Sequence, residues 1–265
     1  MRDNRKIKKN FFRLVQIMDR LRAPEGCPWD RKQSVETVKN YLLEETYEVV
    51  AAVEDNNPGQ VCEELGDLLF LIIFLSLMYE EPEAFNINDV MESVSAKIIR
   101  RHPHVFGAER VAGAEEVRDR WHKIKREEAR QRGEEGSFFA SVPRNLPALL
   151  RAQRIGARAA RTGFDWENAG SVWEKLDEEL SELKEACNRN NPTHISDEMG
   201  DVLFTLVNLS RHLHINAEEA LRLTVDRFIR RFDEMRSTLE KDGRPLEEFT
   251  LEEMDAVWEK VKDSV

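Results

Sequence analysis

The chain has 265 residues, enough for one large domain or two of ordinary size. Apolar residues make up 41% and charged residues 34%, with only 12 glycines and 9 prolines, a balance that favours long soluble helices over short strands and tight turns. A net charge of −11 excludes general affinity for nucleic-acid backbones or anionic membranes.

The basic N-terminus, MRDNRKIKKNFFRLV, has no apolar core or cleavage site, so no signal peptide is expected. Cys27, Cys62 and Cys187 are scattered, without metal-ligand spacing, and read as reduced thiols of a cytoplasmic protein. Asp30-x-x-Gln33 has the form of a capping box ahead of a helix over Val35–Glu54. Asn57-Pro58 supplies the N-cap and first residue of the next helix. That helix carries an apolar run, Leu68–Met78, too short to span a bilayer and expected to be buried in a core. Helical spacing returns over 87–101. The polar stretch KREEARQRGEEGS, 125–137, has linker composition.

Beyond it the pattern repeats. Glu45, Glu48, Glu64 and Asp67 align without a gap with Glu179, Glu182, Glu198 and Asp201. Asn56-Asn57-Pro58 aligns with Asn190-Asn191-Pro192, GCPWD (26–30) with GFDWE (163–167), and KIIRR (97–101) with RFIRR (227–231). The repeat is too long for a solenoid and marks a tandem duplication. Helical spacing also covers 216–240, and no strand ladder is legible, so the fold is expected to be all-α. Domains are placed at 1–130 and 138–265.

Residues three apart share a helix face, so Glu45 and Glu48 point one way, as do Glu64 and Asp67. A short bend makes the two helices antiparallel neighbours. Glu48 and Glu64 are equidistant from Asn56, and so are Glu45 and Asp67. The same mirror holds about Asn190 in the second half. Each pair lies roughly 12–16 Å up its hairpin, at ~1.5 Å per residue. A single such glutamate is more often a solvated face or an ion-pair partner. Two mirrored sets of four acids point instead to a hard divalent cation, Mg²⁺ or Mn²⁺, because ionised carboxylates so gathered need a counter-ion.

These motifs, with EETYEV, EELGDLLF, RRHPHVFG, LPALLRAQRIGARAA and DEMGDVLF, resemble the MazG family of nucleoside triphosphate pyrophosphohydrolases, in its tandem two-domain form. The resemblance runs from about Phe11 to Lys262. It implies an all-α fold, a homodimer, and Mg²⁺-dependent hydrolysis of NTPs and dNTPs to the monophosphate and pyrophosphate, with broad base tolerance and a house-cleaning role. It implies that the C-terminal half is the main catalytic one, with Glu179, Glu182, Glu198 and Asp201 as metal ligands. Glu178 or Glu179 would take the proton of the attacking water. Lys175, Arg227, Arg231 and Trp258, and more weakly Arg230, match nucleotide contacts. In the first half Glu45, Glu48, Glu64 and Asp67 form a second metal set, and Arg100 or Arg101 and Lys125 are matched to a nucleotide. His194 stands where the family often has a lysine, which puts that lysine's grip on phosphate in doubt.

By itself, a lone tryptophan such as Trp258 on an amphipathic helix more commonly packs against the core. Trp29 and Trp166, in the repeated G-x-x-W-[DE], read as a shared structural turn. His102-Pro103-His104 and His212-x-His214 lack a third metal ligand of suitable spacing. Two rival classes remain: a ferritin-like di-iron bundle, which wants Glu-x-x-His on two helices, and a non-catalytic nucleotide-sensing or interaction protein.

Overall fold

The computed structural model describes residues 3–131 and 138–262, so the expected linker lies partly outside the described residues. The chain divides into two compact units, Met1–Glu134 and Glu135–Val265. Among the described residues every regular element is helical.

The first unit contains α1 (Asn4–Arg22), α2 (Pro28–Lys32), α3 (Val35–Glu54), α4 (Pro58–Glu80), α5 (Ile87–Arg101), α6 (Pro103–Phe106) and α7 (Ala114–Gln131). The second contains α8 (Ala148–Ala160), α9 (Ala169–Asn188), α10 (Pro192–His212), α11 (Ala217–Leu239) and α12 (Leu251–Lys262). Each unit is organised on one antiparallel hairpin, α3 with α4 and α9 with α10.

Asparagine makes both bends. Asn56 and Asn190 sit at φ 51° and 52°, in the left-handed region that asparagine tolerates better than most side chains. The next residue restarts the helix: Asn57 accepts a hydrogen bond from the Gln60 amide at 3.3 Å, and Asn191 from the His194 amide at 3.4 Å. Proline follows as the first helical residue in both copies.

The start of α3 departs from expectation. Asp30 lies inside the separate one-turn helix α2, which Pro28 initiates. The capping box is instead Ser34 with Thr37: the Thr37 amide donates to Ser34 Oγ at 3.2 Å, and the Ser34 amide donates to Thr37 Oγ1 at 2.9 Å.

The first core joins Met18 of α1, Val38 of α3 and Leu71, Ile73, Phe74 and Met78 of α4. Met18, Val38 and Ile73 are fully buried, each worth ~1.5–3 kcal/mol. The apolar run of α4 is not buried all round as its composition suggests. Leu71, Ile73 and Phe74 face the core, whereas Leu69 and Ile72 are 38% and 40% exposed on the other side. Apolar residues occupy both faces of this helix, and each unit by itself covers only one.

The second core gathers Val172 and Leu176 of α9 with Val202 and Leu209 of α10. α8 packs closely on α10 at Gly156, where a Cβ would stand 2.5 Å from Asn208 Oδ1. Asn208 is fully buried, donates to the Phe204 carbonyl at 3.0 Å, and accepts from Arg211 Nε at 3.4 Å. Arg211 in turn binds Asp165 through both carboxylate oxygens, and His212 Nε2 lies 3.2 Å from the same group. The Arg211 hydrogen bond holds the Asp165 carboxyl below its ordinary range. This network ties the GFDW segment, which leads into α9, to the end of α10.

Candidate metal and nucleotide site

In each hairpin three glutamates converge. Glu45 and Glu48 of α3 meet Glu64 of α4, and Glu179 and Glu182 of α9 meet Glu198 of α10. Within each triad one carboxylate oxygen from each glutamate lies within 4.8 Å of those offered by the other two. The fourth acids, Asp67 and Asp201, are exposed one turn along and are not part of these triads. Asp67 is still near enough to act electrostatically on Glu45 and Glu64.

The crowding is visible in the protonation equilibria. Partial burial, then the neighbouring charges of Glu48, Asp67 and Glu64, pushes Glu45 above its ordinary value. Glu64 is raised by desolvation and by Glu48. In the second unit Glu182 is raised by desolvation, then Glu198 and Glu179, with Lys175 opposing. Glu45 Oε2 is buried with no hydrogen-bond partner. An orphaned buried carboxylate oxygen amid like charges is the environment a cation relieves. The donors are all carboxylate oxygens, which suit Mg²⁺, Mn²⁺ or Ca²⁺ and not zinc or a His-containing di-iron pair. The residues present therefore fit a hard divalent ion.

The two copies differ in their counter-charge. Lys175, one turn before the buried Glu179, places Nζ 2.7 Å from Glu178 and 2.9 Å from Glu179. Those contacts raise the lysine above its ordinary range. The aligned residue of the first unit is Tyr41. His194 Nε2 lies 3.5 Å from Glu198, so the histidine reaches the triad.

The basic residues divide. On α11, Arg227 and Arg230 are exposed, and Arg231 is half-buried, donating to the Lys262 carbonyl at 3.3 Å. Arg231 Nε is buried without a partner. Trp258 of α12 packs against Phe228, ring centroids 5.2 Å apart. In the first unit Arg100 and Arg101 are taken up by Glu128 of α7, at 2.7 and 2.6 Å. Lys125 and Arg101 both lie over the Trp121 ring. The Arg101 hydrogen bond, aided by Arg100, holds the buried Glu128 carboxyl down at about 2. Helix periodicity does not disclose Glu128 as their partner.

Trp29 and Trp166 are not equivalent. Trp166 is half-buried against the second core. Trp29 is 66% exposed on α2 and lines a cavity with Glu45 and Asp67. Tyr41, Phe70 and Phe74 line it too, and reading by motif passed over all three.

An all-helical unit, built twice, with a glutamate triad on each hairpin, is a carboxylate bundle suited to a hard metal. The family model described as MazG nucleotide pyrophosphohydrolase domain matches residues 33–106 and again 168–235. The nucleoside triphosphate pyrophosphohydrolase/pyrophosphatase MazG of Thermotoga maritima is 43% identical over 252 residues, covering 95% of each chain. The nucleoside triphosphate pyrophosphohydrolase of Escherichia coli K12 is also 43% identical, over 94% of this chain and 96% of its own. A crystal structure of a mazG-related protein from Thermotoga maritima is 30% identical and covers 43% of this chain and 97% of its own, with a TM-score of 0.38. This chain belongs to the MazG family.

Proposed function

We propose that the chain is a nucleoside triphosphate pyrophosphohydrolase that requires Mg²⁺, for which Mn²⁺ substitutes, and converts NTPs and dNTPs to the monophosphate and pyrophosphate. The carrying observation is the pair of glutamate triads, one oxygen of each residue within 4.8 Å of the others, in a chain 43% identical to pyrophosphohydrolases over nearly its whole length. Broad base tolerance and a house-cleaning role in the cytoplasm go with that assignment. Free Cys27, Cys62 and Cys187 are in keeping with a reducing compartment, and no described helix is long and apolar enough to cross a membrane.

The second unit is the principal site. Glu179, Glu182 and Glu198, with Asp201 alongside, hold the metal, which when bound supplies Lewis-acid charge to the phosphate chain. Glu178 or Glu179 accepts the proton of the water that attacks the α-phosphorus. The α–β bridging P–O bond then breaks and pyrophosphate departs. Lys175 offsets charge on the leaving phosphates, and Arg231, whose buried Nε lacks a partner, offers a donor to an anion. Arg227 and Arg230 add positive charge on the same helix, and Trp258 offers its ring to the base. In the first unit Arg100, Arg101 and Lys125 grip a nucleotide only in competition with Glu128 and Trp121.

A homodimer is part of the proposal. Leu43, Tyr47 and Val50 on α3, and Leu65, Leu69 and Ile72 on α4, form exposed apolar stripes at helical spacing. Met199, Leu203 and Leu206 repeat the α4 stripe on α10. A second copy covering these faces accounts for apolar area no isolated hairpin buries. Light scattering on the purified chain tests it, a monomer at micromolar concentration being the contrary result.

Incubation with each common NTP and dNTP and Mg²⁺ tests the activity. Pyrophosphate and the monophosphate are expected, and orthophosphate alone, or no product, refutes the assignment.

A further inference from the structure

We propose that the first unit carries a nucleobase pocket of its own: the cavity among α2, α3 and α4, walled by Trp29, Tyr41, Phe70 and Phe74, takes the base of a nucleotide whose phosphates lie toward Glu45 and Asp67.

The cavity has a volume of about 240 Å³. That is below the ~300–1,000 Å³ of pockets that enclose a whole drug-sized ligand, so it suits one ring system with the sugar and phosphates outside. Four of its nine lining residues are aromatic, while Asp30 and Gln33 add a polar edge that can orient a base. Trp29 stands at the surface, 66% exposed, although an indole stabilises most when covered. A base stacked on it covers that ring. Phe74 is buried in the floor, and Arg22 backs it with its guanidinium 5.3 Å from the ring centroid. Arg22 also donates to the Asp30 carbonyl at 3.1 Å, which holds α2 in place.

Glu45 and Asp67 line the same cavity, so one ligand touches both aromatic wall and carboxylates. The orphaned Glu45 Oε2 marks the end where a metal-bound phosphate chain belongs. The second unit is not a copy here. Tyr41 aligns with Lys175 and Phe74 with Asn208, and Asn208 is engaged by Phe204 and Arg211. The two units therefore present different chemistry beside equivalent triads. The first offers ring faces where the second offers a cation and an amide.

Because its phosphates are placed on the triad, the pocket rests on the hydrolase assignment, and the experiment separates the two. The full chain carrying Glu179→Gln and Glu182→Gln, with the second triad disabled, is titrated calorimetrically with an α,β-methylene nucleoside triphosphate and Mg²⁺. One site per chain is expected to remain. Adding Trp29→Ala should weaken it about 10-fold, within the range for loss of one base-stacking ring, and Trp29→Phe should restore most of it. Inorganic tripolyphosphate should bind all three chains alike. Loss of all nucleotide binding in the Glu179→Gln/Glu182→Gln chain overturns the pocket. So does a Trp29→Ala chain that binds nucleotide unchanged, or that loses tripolyphosphate equally. Pyrophosphate release by the wild-type chain, measured separately, judges the hydrolase assignment independently of these titrations.

Discussion

Lys175 and Glu179 face each other across one turn of α9, with Nζ 2.9 Å from a carboxylate that is almost wholly buried. The same ammonium touches Glu178 at 2.7 Å, so one cation serves a triad member and the acid next to it. Lys175→Ala leaves both without that partner and removes positive charge from beside the second triad. Expected is a fall in kcat/KM on the order of 10²-fold, comparable to removal of one preorganised electrostatic donor. Steady-state pyrophosphate release checks it, and an unchanged kcat/KM takes the lysine out of the site.

The two triads are separable by mutation. Glu182→Gln with Glu198→Gln should lower pyrophosphate release about 100-fold or more, since loss of even an outer partner of a metal ligand costs ~10–100-fold. Glu48→Gln with Glu64→Gln should leave most of it. The reverse ranking, assayed under identical Mg²⁺, moves the principal site to the first unit.

Metal and pH should act on stability together. Glu45, Glu64 and Glu182 are raised above the ordinary glutamate value of 4.5, so the folded chain binds more protons than the unfolded one as these groups titrate. Stability from these groups therefore falls as pH rises above that value, reaching its full loss beyond the raised values. The lowered carboxyls, Glu128, Asp165, Glu116 and Glu253, act in the opposite sense, at lower pH. In chelator, Tm should fall as pH rises above the ordinary glutamate value of 4.5, and Mg²⁺ should flatten that fall. At a hundredfold excess over Kd the ion adds ~2.7 kcal/mol. A pH profile of Tm that Mg²⁺ does not alter contradicts metal binding at the triads.

Glu128 should matter to folding of the first unit. It is buried, and its carboxyl is held down at about 2, first by Arg101 and then by Arg100. Its contribution is thus complete at neutral pH and lost only as pH falls through that value. Removing one partner of a buried pair costs ~3–5 kcal/mol, and the partly exposed Arg100 places Glu128→Gln near ~3 kcal/mol. Urea unfolding measures it, and a change below ~1 kcal/mol reduces the contact to a surface pair.

Much of the site was legible because it depends on spacing along one hairpin. E-x-x-E and E-x-x-D put acids on one helix face, and the asparagine bends set which acids stand level. The triads assemble from three of the four acids in each copy, while Asp67 and Asp201 lie one turn along. The capping box at Asp30 misled because Pro28 begins a helix of its own, leaving Ser34 and Thr37 to start α3. Trp29 read as a turn residue, since the motif it shares with Trp166 does not disclose that only one of the two lines a cavity beside an acid.

The amino-acid order alone determined the helices, the duplication and the gathering of carboxylates, since each follows from contacts three or four residues apart or mirrored about one bend. Only the folded chain decided which face of α4 meets the core, that Glu128 holds Arg100 and Arg101, and that Trp29 and Glu45 line one cavity. Those outcomes join residues on separate helices. Periodicity shows that a helix has a face to bury, but packing in three dimensions selects the partner that meets it.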